Sequence, residues 1–333
     1  MLMRVFRDKK FYLLLGLLLL ANWSLNIDDS EAWGFWGHQR INRMAVFTLP
    51  PQMLSFYKEN IEFITIHAVD PDKRRYSDPN EAPHHYIDLD RYGTYPFDSL
   101  PRRWDDAVAK YTEDSLNKHG VVPWWVPLEL YRLTEAFRAK DKWKILHYSA
   151  DIGHYIADAH VPLHCTRNYN GQLTNQLGIH GFWESRVPEL FGDEYDYFVG
   201  KAEYVQHPSE EMWNVVLTSS SKVDSVLTLE REVSQQFPGD QKYTFEARGN
   251  NMVRTYSKDF SEKYQSALND MQERRMRAAI ITVGSFWYTA WVNAGKPDLN
   301  DIKDSPASPE DELALQAMDK AWRDGKIIGR PEE

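Results

Sequence analysis

Apolar residues recur three and four positions apart along most of this chain, the spacing of one helix face. The pattern opens after Gly37 over 39–47 and predicts further helices over 125–139, 143–159, 210–236 and 259–293. The last of these turns strongly apolar in its second half, where Ala278-Ala279-Ile280-Ile281 is followed by Phe286-Trp287-Tyr288. Arg275 and Arg277 just before it favour a central core helix over a membrane element. Alternating strand patterns are scarce, no internal repeat is visible, and the stretch between Val69 and Pro123 is rich in prolines and turns. After Gly295 come Lys296-Pro297-Asp298 and Ser305-Pro306-Ala307-Ser308-Pro309, which read as a linker, then a short acidic amphipathic helix near 310–323. The expected fold class is all-α: one mostly helical domain over 33–295, with 296–333 as a linker and acidic tail.

The first 32 residues depart from this pattern. Arg4, Arg7, Lys9 and Lys10 precede an apolar run over 11–21, too short to span a bilayer comfortably, and Ser30-Glu31-Ala32 offers small residues at a cleavage site. This reads as a signal peptide over 1–32, with cleavage after Ala32, Trp33 as the new N-terminus, and a periplasmic or secreted product. An uncleaved N-terminal anchor is the alternative. Composition adds two limits. A net charge of −10 over 333 residues argues against a protein that coats duplex DNA, although bound metals could reverse the sign locally. The single cysteine, Cys165, excludes an internal disulfide framework and any Cys-rich zinc finger, so metal sites must use His and carboxylates.

The chemistry-bearing stretch runs from His154 to His164. His154 and Asp158 are four apart and share a helix face, and Pro162 should end the helix and turn His164 back toward them. His180 and Glu184 repeat the same spacing. One such pair alone reads as an ordinary surface pair; two pairs flanking a third His suggest convergent N and O ligands of the kind that suit Zn²⁺. Upstream, His147 and Asp151 continue the polar stripe, either as groups that orient ligands or as solvated positions where the helix emerges.

In their order these residues resemble the superfamily that contains zinc-dependent phospholipase C and the P1 and S1 single-strand nucleases. The resemblance covers roughly 33–293. It rests on Trp33, His38, Asp70, His85, His154, Asp158, His164, His180 and Glu184 occurring in that sequence, with an N-terminal Trp exposed by processing. It implies three zinc ions. The first would take Asp70, His85, His154 and Asp158; the second His164, His180 and Glu184; the third the Trp33 amine and carbonyl, His38 and a bridging Asp158. It further implies hydrolysis of phosphodiesters by a metal-activated hydroxide attacking phosphorus in line, with Asp70 orienting or deprotonating the nucleophile.

The substrate divides the superfamily. His85-Tyr86-Ile87-Asp88 resembles the nuclease motif in which the aromatic lies against a base and the Asp bonds its edge, so Tyr86 and Asp88 are candidate substrate contacts. The Trp33–His38 spacing also resembles nucleases. The short His164–His180 gap, the lack of disulfides and Glu184 in place of Asp resemble phospholipase C. Ala157 and Val161 replace the family's usual Gly and Gln. The expected activity is that of a nuclease or 3′-nucleotidase on single-stranded nucleic acid or nucleotides. The alternatives are a phospholipase C acting at a phospholipid head group and a non-catalytic zinc-binding helical protein. Trp124 and Trp125 could form a cleft wall or pack in the core. The oligomeric state is not legible.

Overall fold

Helix makes up 67% of the computed structural model, which describes residues 33–248, 251–300, 302, 306–325 and 327–328. The helices are α1 Trp33–Ala45, α2 Pro51–Glu59, α3 Ile61–Ile66, α4 Asp70–Arg74, α5 Trp104–Tyr111, α6 Glu113–His119, α7 Val122–Ala139, α8 Lys142–His160, α9 Ile179–Gly181, α10 Val187–Phe191, α11 Pro208–Ser220, α12 Val223–Gln236, α13 Lys258–Leu268, α14 Met271–Asn293 and α15 Pro309–Arg323. Among the described residues the only sheet is the antiparallel pair β1 Tyr243–Arg248 and β2 Asn251–Tyr256, in register with Tyr243 opposite Tyr256. The chain is therefore mostly α. None of its described helices is long and apolar enough to cross a membrane.

Two expected long helices are each broken. The 259–293 pattern splits because Asn269 and Asp270 both take positive φ, 47° and 57°, a conformation that Asn and Asp tolerate better than other side chains. The 210–236 pattern splits at Ser221 and Lys222, between α11 and α12. The hairpin was not legible as an alternating pattern. It is held from outside: Phe182 stacks on Tyr256 at 3.8 Å between ring centroids, and Arg186 donates to Glu246 and to the Tyr256 carbonyl.

The apolar half of α14 is the central core element. It packs against α1, α7 and α8, and Trp287 is fully buried. Its indole N–H donates to the Ser149 carbonyl at 3.0 Å, and its ring stacks on Tyr57, whose hydroxyl bonds Ser149 Oγ at 2.8 Å. A smaller core holds Leu163, Phe182, Tyr256, Phe260 and Tyr264. Ala157 and Ala159 belong to the first core and Val161 and Leu163 to the second. Asp158 therefore sits where the two cores meet.

A close approach that positions the site is between α1 and α8. Asn42 donates to the Ala150 carbonyl at 3.0 Å, and Gly153 leaves the room for it: a Cβ at 153 would stand 2.0 Å from Asn42 Oδ1. Gly153→Ala is expected to lower unfolding stability by about 1–3 kcal/mol through overpacking, read as a fall in the denaturant midpoint. A midpoint equal to wild type would show that α1 can slide on α8 freely.

Candidate metal centre

Six separate segments deliver the donors, α4 contributing Asp72. α1 carries His38, and α8 carries His154 and Asp158 on one face. α8 ends at His160 because Val161, ahead of Pro162, turns extended (φ −80°, ψ 121°). The following turn, Pro162–Cys165, brings His164 back, as the proline predicts. His85 closes the turn Ala82–His85. His180 lies in α9 and Glu184 in the wider π turn Phe182–Arg186 that continues it. His38, His85, His154, Asp158, His164 and His180 are all buried.

The geometry centres on Asp158. Its Oδ2 lies 2.9 Å from His85 Nδ1 and 3.3 Å from His154 Nε2, while its Oδ1 lies 3.3 Å from His38 Nε2 and 3.9 Å from His164 Nε2. Glu184 Oε2 lies 2.8 Å from His180 Nε2 and 3.4 Å from His164 Nε2. Four donor groups result among the described residues: His38, His154 and Asp158; Asp72, His85 and His154; His164, His180 and Glu184; and, apart from Asp158, His67, Asp70 and His147.

Backbone carbonyls select the ring tautomers. His154 Nδ1 faces the Ala68 carbonyl at 2.8 Å, His164 Nδ1 the His85 carbonyl at 2.7 Å, and His180 Nδ1 the Tyr169 carbonyl at 3.3 Å. With the proton on Nδ1, each Nε2 lone pair points at a carboxylate oxygen. Two acceptors at such distances require a positive charge between them. His38 Nδ1 is also buried without a hydrogen-bond partner. The donor chemistry, imidazole with carboxylate, suits several divalent transition metals. These groups could hold metal ions. The field has the same sign of preference. Burial opposes ionisation of Asp158, yet His154 and His164 hold its carboxyl well below the usual range. Burial opposes charge on His154 too, yet Asp158 and Asp72 push it well above the usual imidazole range.

One expected ligand is displaced by two residues. Asp70 does not join His85 and His154; it bonds His67 Nδ1 at 2.6 Å and lies near His147. Asp72 takes the expected place, with Oδ1 3.5 Å from His154 Nε2 and 3.7 Å from His85 Nδ1. Both residues lie in α4, and two positions along a helix differ by about 200° in direction. The sequence order alone could not say which carboxylate of Asp70-Pro71-Asp72 faced inward. His147 stands among Trp143, Phe63 and His67, and Asp151 pairs with Arg74 at 3.0 Å. Neither touches the donors around Asp158.

Tyr86 and Asp88 also depart from expectation. Tyr86 is buried with its hydroxyl 3.4 Å from the Lys118 carbonyl, and Asp88 is buried beside His119 Nδ1, also at 3.4 Å. The cause is the extended backbone at Tyr86. Ile87 N–H donates to the His164 carbonyl and Asp88 N–H to the His119 carbonyl, so both side chains turn toward α6 and the following Gly120. Neither lines the cavity over the donors. Trp33 begins α1, but its side chain and residues 1–32, including the expected cleavage site, lie outside the described residues.

Two further residues escaped the sequence reading. Glu81 Oε1 lies 3.3 Å from His85 Nε2 and also accepts from Tyr155. Burial opposes its charge, but Arg74, 3.0 Å away, keeps it ionised. It braces His85 from behind, as carboxylates commonly do for metal-binding imidazoles. Its spacing of four before His85 was the available signal. Arg75 is buried and lines the cavity with Asp72. Trp125 stacks on His84 at 3.5 Å, and Trp124 donates to the Arg102 carbonyl. Both line a separate groove of about 1200 Å³.

No family model matches this chain, and comparison with curated proteins finds no match.

Proposed function

We propose that the protein is an exported zinc-dependent phosphodiester hydrolase of the zinc phospholipase C and P1/S1 nuclease type. The observation that carries this reading is the sharing of His154 between two donor groups, with Asp158 facing four imidazoles, beside one cavity of about 220 Å³ lined by His38, Asp72, Asp158, His180 and Glu184. Asp72, His85, His154 and Asp158 would hold one ion, and His164, His180 and Glu184 a second. His38 and Asp158 would hold a third, completed by the Trp33 amine if cleavage exposes it. Bound zinc supplies Lewis acidity, which brings water deprotonation near neutral pH and offsets charge on phosphoryl oxygens.

The chain's own contribution is organisation. Ala68, Tyr169 and the His85 carbonyl keep three imidazoles in the ligating tautomer, and Glu81 fixes the fourth. Asp72, rather than Asp70, is the carboxylate placed to orient or deprotonate a nucleophile. Arg75 lies in the cavity wall, where a guanidinium favours a phosphodiester. The aromatic side chains Phe35, Tyr76 and Trp322 in the same wall favour a nucleotide or single-stranded substrate. Glu184 and the short His164–His180 gap favour the second reading, a phospholipase C.

Purified processed protein, beginning at Trp33, is expected to carry about three zinc ions and to cleave bis(p-nitrophenyl) phosphate. Dialysis against a chelator should abolish that cleavage, and added zinc should restore it. Bound zinc with no hydrolysis of this diester, single-stranded DNA, 3′-nucleotides or phosphatidylcholine would instead identify a zinc-binding protein without catalysis.

A further inference from the structure

The segment after the linker does not hang free. α15 opens with a capping box, in which Ser308 and Asp311 satisfy one another's backbone N–H groups, and it packs against α4, the helix that carries Asp72. Asp319 pairs with Lys73 at 3.2 Å. Lys73 Nζ in turn lies 5.3 Å from the Trp322 ring centroid. Beyond the helix, Ile328 N–H donates to the Arg75 carbonyl at 2.8 Å. Trp322 reaches Phe35 of α1, with ring centroids 5.8 Å apart. Trp322 and Ile327 therefore line the same cavity as His38, Asp72, Asp158 and Glu184.

We infer that α15 and the residues after it form a wall of the substrate cleft, with Trp322 as a specificity-determining side chain. The inference rests on the hydrolase reading for its substrate but on contacts of its own for the wall. The donors and Arg75 bind the phosphate end. Trp322, with Phe35 beside it, supplies an aromatic face in the same cavity for the group esterified to the phosphate. A cavity of about 220 Å³ closed in this way admits one aromatic or nucleoside unit at a time. The wall therefore favours small phosphoesters and chain ends over the interior of a long polymer.

The test uses the processed, zinc-loaded protein with its C-terminal helix intact. Trp322→Ala is expected to raise KM for bis(p-nitrophenyl) phosphate about tenfold, the order for losing one stacked ring, with kcat within about twofold of wild type. Trp322→Phe should recover most of the loss. Leu313→Ala, at an exposed position on the same helix, should change nothing. A second readout needs no turnover: zinc extraction by dipicolinate should be severalfold faster in Trp322→Ala and in Asp319→Lys, because the wall shields the ions. Unchanged KM and unchanged extraction in Trp322→Ala would overturn the inference. A wild-type protein that binds zinc yet cleaves no phosphoester would remove the hydrolase reading, and the extraction rates would still decide whether α15 walls the site.

Discussion

Asp158→Asn is expected to bind substantially less zinc than wild type and to lose diester hydrolysis by about a thousandfold or more, the upper order seen when one electrostatic stabiliser is removed from a catalytic site. The size follows from position. Asp158 Oδ1 faces His38 and His164, and Oδ2 faces His85 and His154, so one carboxylate serves donor groups on both sides. The amide keeps the shape and the helix but offers one oxygen in place of two and no charge. It also leaves several buried imidazole nitrogens without their counter-charge, which is costly in itself. Zinc content by elemental analysis, read beside the hydrolysis rate, checks the result. Full zinc content together with full activity would show that Asp158 is not the shared ligand.

The second large effect is a contrast between neighbours. Asp72→Asn should lose zinc and at least about a hundredfold in activity, whereas Asp70→Asn should keep both within about twofold. The reason is directional. Asp72 points at His85 and His154, and Asp70 points at His67 with a 2.6 Å hydrogen bond. Asp70→Asn should instead reduce stability by roughly 1 kcal/mol through loss of a charge-assisted bond, measurable by denaturant unfolding. The reverse outcome, with activity lost in Asp70→Asn and retained in Asp72→Asn, would restore the ligand set that motif order alone implies.

These two residues show where reading along the chain stops. His154, Asp158, His164, His180 and Glu184 were legible because each spacing maps directly onto local geometry. Four residues return to the same helix face, and Pro162 ends a helix. His38 and His85 were legible only through their order in a family pattern, since nothing local brings them to α8. Asp72 was hidden because both carboxylates of one short helix satisfy the same order. Tyr86 and Asp88 matched a motif, but their side-chain direction depends on hydrogen bonds from residues 87 and 88 to His164 and His119, far along the chain. Glu81 had the right spacing before His85, in a turn too short to show periodicity.

The amino-acid sequence by itself determined that this protein is mostly helical, that α14 is a core helix and that any metal site must be built from imidazole and carboxylate. Those properties follow from apolar spacing and from the donor atoms available. Only the tertiary structure decided which aspartate faces inward, that a hairpin packs beside Phe182, and that α15 returns to the cleft. Each of these is settled by contacts between segments distant in the chain, where burial and hydrogen bonding choose among directions that local spacing leaves equal.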